Sequence, residues 1–147
     1  AHSAWIGETD RMQGPLLPPE HAIAACSPED ASEIDAQRIV SGPYFWHSGA
    51  SMDGEWIVSD TNWPDVGLQL IHVPSGRFAT LCLSQATNSN HPAHPHPSFS
   101  PDGKKVLYNS DRTGINQVYI ATIPEWLIDE LSTGKLLARY KVGPRMA

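Results

Sequence analysis

Three histidines lie within six positions in the segment His91-Pro-Ala-His94-Pro-His96. Imidazole nitrogens are the commonest metal ligands in proteins, and the prolines around these residues exclude a helix. In an extended backbone, residues two apart face the same way, so we expect His94 and His96 to reach one ion. His91 can bend in as a further ligand. The alternative is a proline-stiffened, solvated loop whose histidines bind nothing.

A repeat in the sequence brings further histidines into the same register. The segment from His47 to Gly54 aligns with the segment from His96 to Gly103, which lies 49 residues later. Each copy predicts a strand, a tight Asp-Gly turn and a second strand, and both second strands end on Ser-Asp. A weaker third copy opens at His2. We therefore expect His2, His47 and His96 to surround one central channel.

The repeat length predicts the fold. Four short strands every 49 residues are typical of a propeller blade, which has about 40 to 50 residues. We predict an all-β fold of about three four-stranded blades from a larger β-propeller, followed by a short C-terminal helix. The predicted blades span 1–45, 46–93 and 94–123, with a helix and tail over 124–147. Within them we expect strands at 37–40, 67–73, 77–83 and 116–122, a loop at 14–19, a short helix start at 27–30, a helix over 124–131, and a last strand or tail at 135–142.

Three blades are too few to close a ring, since propellers have about four to eight. Open blades would expose sheet edges and apolar faces that favour aggregation. We therefore expect the fold to be completed by N-terminal blades that precede this sequence, or by other copies of the chain in a ring.

Composition narrows the classes of partner and compartment. The net charge is −6 and charged residues make up 18% of the 147, so the sequence shows no basic footprint for nucleic acid. No apolar run has the roughly 18 to 20 residues that span a bilayer. Cys26 and Cys82 are isolated and there is no Asn-x-Ser/Thr sequon, which favours a reduced, cytoplasmic protein. One disulfide between these two cysteines is the alternative.

The histidine set limits the chemistry. Neutral imidazole ligands leave a divalent ion with its full positive charge, which can lower the pKa of bound water in a hydrolase. The same charge can instead bind a substrate carboxylate and stabilise an enolate beside it. Trp46 adjoins His47 and is either inter-blade packing or the wall of a sugar-binding mouth. His21 and His72 are interpreted as surface or strand residues.

The block from His94 to Tyr108, with His47 one blade earlier and His2 one blade before that, resembles the C-terminal half of oligogalacturonate lyases, which are seven-bladed propellers related to TolB-type repeats. The resemblance implies a Mn²⁺-type ion held by His47, His94 and His96, with Zn²⁺, Fe²⁺, Co²⁺ or Ni²⁺ as alternatives. His91 stands where the family has a glutamine ligand. His2 matches the family's general base, whose partner arginine lies upstream of this sequence.

The same resemblance implies a metal-dependent lyase that cleaves short, acidic oligogalacturonides by β-elimination to a keto-deoxyuronate. Two alternatives stay open at this point. One is a non-catalytic TolB-like segment that binds protein, and the other is a metal-dependent hydrolase. Metal content would separate the first alternative from the enzymes, and the product would separate lyase from hydrolase.

Overall fold

The computed structural model describes residues 2–30, 37–87 and 93–135, which form three consecutive antiparallel sheets and one α-helix. Strands in each sheet follow chain order. The first sheet holds β1 (Ala4–Trp5), β2 (Met12–Leu16), β3 (Ala22–Cys26) and β4 (Gln37–Ser41), with a 3-10 turn at Pro28–Asp30. The second holds β5 (Phe45–Ala50), β6 (Trp56–Thr61), β7 (Leu68–His72) and β8 (Arg77–Cys82). The third holds β9 (Ser98–Phe99), β10 (Lys105–Ser110) and β11 (Gln117–Thr122), and helix α1 spans Glu125–Thr133.

These elements confirm the predicted all-β class with a short C-terminal helix. The exact blade boundaries stay predictions, and the predicted strand or tail at 135–142 lies beyond the described residues except for Lys135. Cys26 and Cys82 are both free thiols, so the alternative of a disulfide between them is wrong. Among the described residues, no helix combines the length and apolar character needed to cross a bilayer.

The loop predicted at 14–19 is wrong in its first half, because β2 runs through Gly14, Pro15 and Leu16. Proline usually excludes a central strand since it has no N–H for the ladder. Here β1 pairs only with Met12 and Gln13, so Pro15 has a strand neighbour on one side alone, at Ile23. A residue without an N–H is tolerated more readily at such a position than between two paired strands.

The two clear sequence copies fold into matching hairpins. Ala50 pairs with Ile57 in the second sheet and Phe99 pairs with Val106 in the third, both offset by 49 residues. With the same offset of 49 residues, Asp60 of the second sheet corresponds to Asn109 of the third. The two Ser-Asp motifs, which end at Asp60 and Asp111, are therefore not at equivalent positions, because strand pairing and not the end motif sets the register.

Two apolar clusters hold the second sheet between its neighbours. On one side the cluster contains Ile23, Val40, Phe45, Ile57 and Ile71. On the other, Val58, Leu68 and Leu70 pack with residues of the third sheet and with Leu127 and Leu131 of α1. Each fully buried side chain of this kind contributes about 1.5–3 kcal/mol. The three sheets are thus fixed relative to one another at the strands that carry the histidines.

One glycine sets how closely the second and third sheets approach. A Cβ at Gly49 would lie 3.0 Å from the carbonyl oxygen of Pro97. That separation is tighter than ordinary van der Waals contact, so a larger residue would push the chain away. Gly49 therefore lets the segment that carries His96 lie directly against β5.

Candidate metal centre

Three histidines meet where the second and third sheets adjoin. His47 lies within β5 and is only 4% exposed, while His94 and His96 precede β9. Each offers one ring nitrogen, and these nitrogens all lie within 4.8 Å of one another. The ring centroids of His47 and His96 are 3.7 Å apart, and those of His47 and His94 are 5.3 Å apart. One ion placed between the rings can be reached by all three.

The backbone brings His94 and His96 together by a different route from the one expected. The sequence argument assumed an extended chain, but His96 has a φ of +43°. A left-handed conformation is costly for a residue with a side chain and is often found at functional sites. The extended-backbone prediction is therefore wrong at His96. The turn there directs the ring towards His47, while the rings of His94 and His96 stay 6.0 Å apart.

A buried carboxylate ties the two ligand-bearing segments together. Asp60, at the end of β6 and 3% exposed, accepts a hydrogen bond from His47 Nδ1 at 2.8 Å. It also accepts the backbone N–H groups of His47 at 2.7 Å and of His96 at 3.3 Å. Because a carboxylate only accepts, Nδ1 of His47 donates this bond, and Nε2 is the ring nitrogen left to face an ion. This carboxylate–histidine pairing orients metal-binding imidazoles in many proteins.

His2 lies at the edge of the same cluster. Its ring centroid is 4.3 Å from that of His47 and 6.3 Å from that of His96. The side chain is exposed overall, but partial desolvation, followed by the neighbouring His47 imidazole, lowers the pKa of His2. His2 is therefore neutral at pH 7 and able to accept a proton. The three equivalent histidines of the repeat, His2, His47 and His96, are adjacent in space.

The remaining histidines fall into different settings. His91 lies outside the described residues, and its assignment as a ligand stays a prediction. His72 is a buried residue of β7 whose Nδ1 is 2.8 Å from Ser75 Oγ. His21 contacts the ring of Tyr44 at 5.6 Å between centroids.

A row of aromatic rings extends from the histidines. Trp46 stacks on His47 at 5.0 Å with a 12° interplanar angle, and its centroid is 4.7 Å from that of His94. Trp63 lies 5.5 Å from Trp46 and 5.7 Å from Tyr44. Sequence reasoning missed the roles of Asp60, Tyr44 and Trp63. The repeat could have drawn attention to Asp60, but nothing in the sequence pairs Trp63 with Trp46.

The donor set fits a divalent ion of the first transition row. Metal-bound histidine must be unprotonated, and partial desolvation, followed by the nearby His47 imidazole, lowers the pKa of His96. Imidazole nitrogens suit Mn²⁺, Fe²⁺, Zn²⁺ and their neighbours better than Ca²⁺ or Mg²⁺. Asp60 supplies the outer partner that such sites commonly have.

Comparison with known proteins places this geometry in context. No family model matches the chain. Over 32 residues, 22% of the chain, it is 53% identical to an oligogalacturonide lyase of Pectobacterium atrosepticum and 50% identical to an oligogalacturonate lyase of Dickeya dadantii. A solved oligogalacturonate lyase in complex with manganese superposes with a TM-score of 0.73 at 25% identity, over 87% of the chain. The chain resembles the oligogalacturonate lyases in sequence and in fold.

Two further solved structures support the same architecture. The oligogalacturonate lyase of Vibrio parahaemolyticus covers 86% of the chain with a TM-score of 0.68 at 24% identity. A putative TolB from Agrobacterium tumefaciens covers 76% with a TM-score of 0.55 at 18% identity. The described sheets are thus blades of a TolB-like β-propeller.

The chain is shorter than these relatives. It spans 36% of the length of both lyase structures. The 32-residue sequence matches span 8% of each curated relative.

Proposed function

We propose that this oligogalacturonate lyase-like chain provides the metal centre and the general base of a lyase that cleaves short uronate oligosaccharides by β-elimination. The observation that carries the proposal is the convergence of four histidines. Three ring nitrogens lie within 4.8 Å of one another, and the ring of His2 is 4.3 Å from that of His47. The manganese in a solved relative with 25% identity supports a divalent ion, with Mn²⁺ as the first candidate.

In this proposal His47, His94 and His96 hold the ion. When bound, the ion supplies positive charge that neutralises the uronate carboxylate and makes the neighbouring C5–H more acidic. Asp60 fixes the orientation of His47 and, through the backbone of His96, the position of the second segment. The protein itself carries a net charge of −6, so a local cation is a distinct anchor for an acidic sugar.

His2 acts as the general base. Its neutral imidazole accepts the proton from C5, and the electron pair of that C–H bond forms the C4–C5 double bond. The glycosidic C4–O bond breaks in the same elimination, the departing oxygen takes a proton from water, and His2 returns the C5 proton to solvent. General-base assistance of this kind contributes about 10²- to 10⁴-fold to a rate. The lowered pKa of His2 keeps it unprotonated and ready at neutral pH.

Two variants separate the roles of base and ligand. His2→Asn is expected to keep its bound divalent metal and to lose about 10²- to 10⁴-fold in elimination rate. His94→Ala is expected to lose both metal and activity. Metal content by atomic emission and product formation from digalacturonate measure the two effects. An active His2→Asn variant would remove His2 from the mechanism, and a wild-type protein that binds no metal at micromolar levels would remove the metal centre.

A metal-dependent hydrolase is the second candidate, since zinc hydrolases also use three histidines to activate water. Reaction in ¹⁸O-labelled water distinguishes the two. A lyase forms an unsaturated or keto sugar and incorporates no label into the cleaved bond, whereas a hydrolase incorporates one oxygen from water. A protein with neither bound metal nor either product would support the non-catalytic alternative.

A further inference from the structure

The aromatic row beside the histidines ends in an exposed indole. Trp63 is 70% exposed, although it adjoins Trp46 and Tyr44, which are both half-buried. The ring of Trp46 contacts Trp63 on one side and His94 on the other. An exposed indole beside a polar centre presents a flat apolar surface where a ligand of that centre would pass.

The backbone holds Trp63 in place. Its φ of +46° lies in the left-handed region, which is unfavourable for a bulky residue and persists only when the surroundings enforce it. Trp63 N–H donates to the side chain of Asn62 at 3.1 Å, and Asn62 N–H donates to the carbonyl of Tyr44 at 3.0 Å. The loop is thus fastened to the start of β5, the strand that carries His47.

Neighbouring rings also fix the plane of the indole. Trp63 is inclined by 30° to Trp46 and by 41° to Tyr44, at centroid distances of 5.5 and 5.7 Å. Aromatic groups at such distances restrain one another. The indole is therefore oriented before any ligand arrives, which reduces the entropy that binding would cost.

We propose that Trp63, supported by Trp46 and Tyr44, is the stacking platform for a second sugar ring, the one next to the uronate whose carboxylate lies at the metal centre. The inference rests on the proposed function and adds a subsite to it. A pyranose ring has one face rich in C–H groups, which packs on indole, and its hydroxyls point outward to water. The row from His94 through Trp46 to Trp63 gives the direction in which the oligosaccharide extends.

The occupant follows from the chemistry of the two ends. A cation held by imidazoles recognises a carboxylate, and the platform recognises an uncharged ring face. A molecule that satisfies both is an oligouronide of at least two sugars. A monomeric uronate reaches the centre alone and makes no use of Trp63.

The test compares galacturonate with digalacturonate as ligands by isothermal titration calorimetry, with each variant made in the Mn²⁺-loaded His2→Asn background so that digalacturonate is bound but not cleaved. Trp63→Ala is expected to weaken digalacturonate binding about tenfold, as one stacked ring contributes, and to leave galacturonate binding within twofold. Trp63→Phe, which keeps a ring, is expected to recover most of the loss.

Trp5→Ala is the matched control, because Trp5 is 56% exposed and takes no part in this row of rings within the described residues. It should alter neither affinity. An equal loss for both sugars in Trp63→Ala, or no loss for either, overturns the platform while leaving the metal centre standing. A wild-type protein that binds neither sugar overturns the proposed function itself. Thermal melts of each variant identify any loss that comes from unfolding.

Discussion

The two hairpins that carry His47 and His96 are alike at their turns and different at their open ends. In the second sheet, Ser51 Oγ donates to Asp53 at 2.5 Å and accepts from Trp56 N–H at 3.0 Å. In the third, Ser100 Oγ makes the same pair of bonds, to Asp102 at 2.6 Å and from Lys105 N–H at 3.0 Å. The repeat therefore conserves the hydrogen bonds that close the turn.

At the open ends the copies diverge. His47 lies inside strand β5, whereas β9 begins only at Ser98 and His96 precedes it with a φ of +43°. Asp60 ends the second hairpin, and Asn109 takes its place in the third. Asp60 receives the backbone N–H of His47 and also that of His96, which belongs to the other hairpin.

The comparison separates scaffold from site. The turn bonds recur because each blade needs its own hairpin closed. Asp60 accepts backbone N–H groups from both histidine segments, so this one carboxylate connects the two hairpins. Substitution of Asp60 in the second hairpin should therefore weaken metal binding, whereas substitution of Asn109 in the third should not.

Removal of a ligand has the largest expected effect. His47→Ala should lower the affinity for Mn²⁺ by more than about 100-fold, since even outer-shell partners account for 10- to 100-fold. His72→Ala is the matched control, a buried histidine of the same sheet outside the cluster, and should keep its metal. Equilibrium dialysis below the melting temperature measures both. Equal metal loss in the two variants would contradict the assignment of His47.

Exchange of the residues at the open ends of the two hairpins has the next largest expected effect. Asp60→Asn gives the second hairpin the residue of the third, and should weaken metal binding about 10- to 100-fold because Nδ1 of His47 loses its ionised acceptor. The reciprocal change, Asn109→Asp, should leave metal affinity within a few-fold. Dialysis against Mn²⁺ and elimination kinetics measure both variants.

A further control tests the strand register, in which Asn109 and not Asp111 is the equivalent of Asp60. Asp111 accepts the backbone N–H and the hydroxyl of Thr87, and both bonds lower its pKa. Asp111→Asn should not alter metal affinity. If it weakened the metal as much as Asp60→Asn does, the assignment of Asp60 by strand register would be contradicted.

The repeat explains how much of this was predictable. Short-range patterns in the sequence predicted both hairpins, from their Asp-Gly turns and β-forming residues, and also α1. The 49-residue repeat predicted the shared histidine register. The role of Asp60 was not predictable, because it depends on a contact with His96, which lies 36 residues later and belongs to the other hairpin. The left-handed turn at His96 was also missed, since two flanking prolines favour an extended chain at the residues before them.

The two turn serines should differ modestly in their effect on stability. Ser51 is 2% exposed, so Ser51→Ala removes the acceptor of Trp56 N–H and one of the two donors to Asp53, and should lower the free energy of unfolding by about 1–2 kcal/mol. Ser100→Ala removes the same bonds from a more exposed turn, where water can replace them, and should cost about 0.5–1 kcal/mol. Urea unfolding of the metal-free protein compares the two. A larger loss at Ser100 would contradict the argument from burial.

The smallest expected effect is the part of the pH dependence of stability that comes from His72 in the second sheet. Burial lowers the pKa of His72 and outweighs the Glu55 carboxylate, which lies 3.9 Å from Nε2 and raises it, while Arg77 lowers it further. The third sheet has Ala121 at the equivalent position. Because the folded pKa lies below the unfolded value of about 6.5, the unfolded chain binds the proton first as the pH falls.

The free energy of unfolding should therefore decrease as the pH drops from about 6.5 towards the lowered pKa of His72. Below that pKa, His72 should cause no further decrease. His72→Gln removes the titrating group, so its free energy of unfolding should change less than that of the wild type across this interval. The difference between the two curves isolates His72 from the other histidines, which titrate in both proteins. Curves that run parallel from pH 7.5 to about 5 would show that the partly buried ring is protonated without cost.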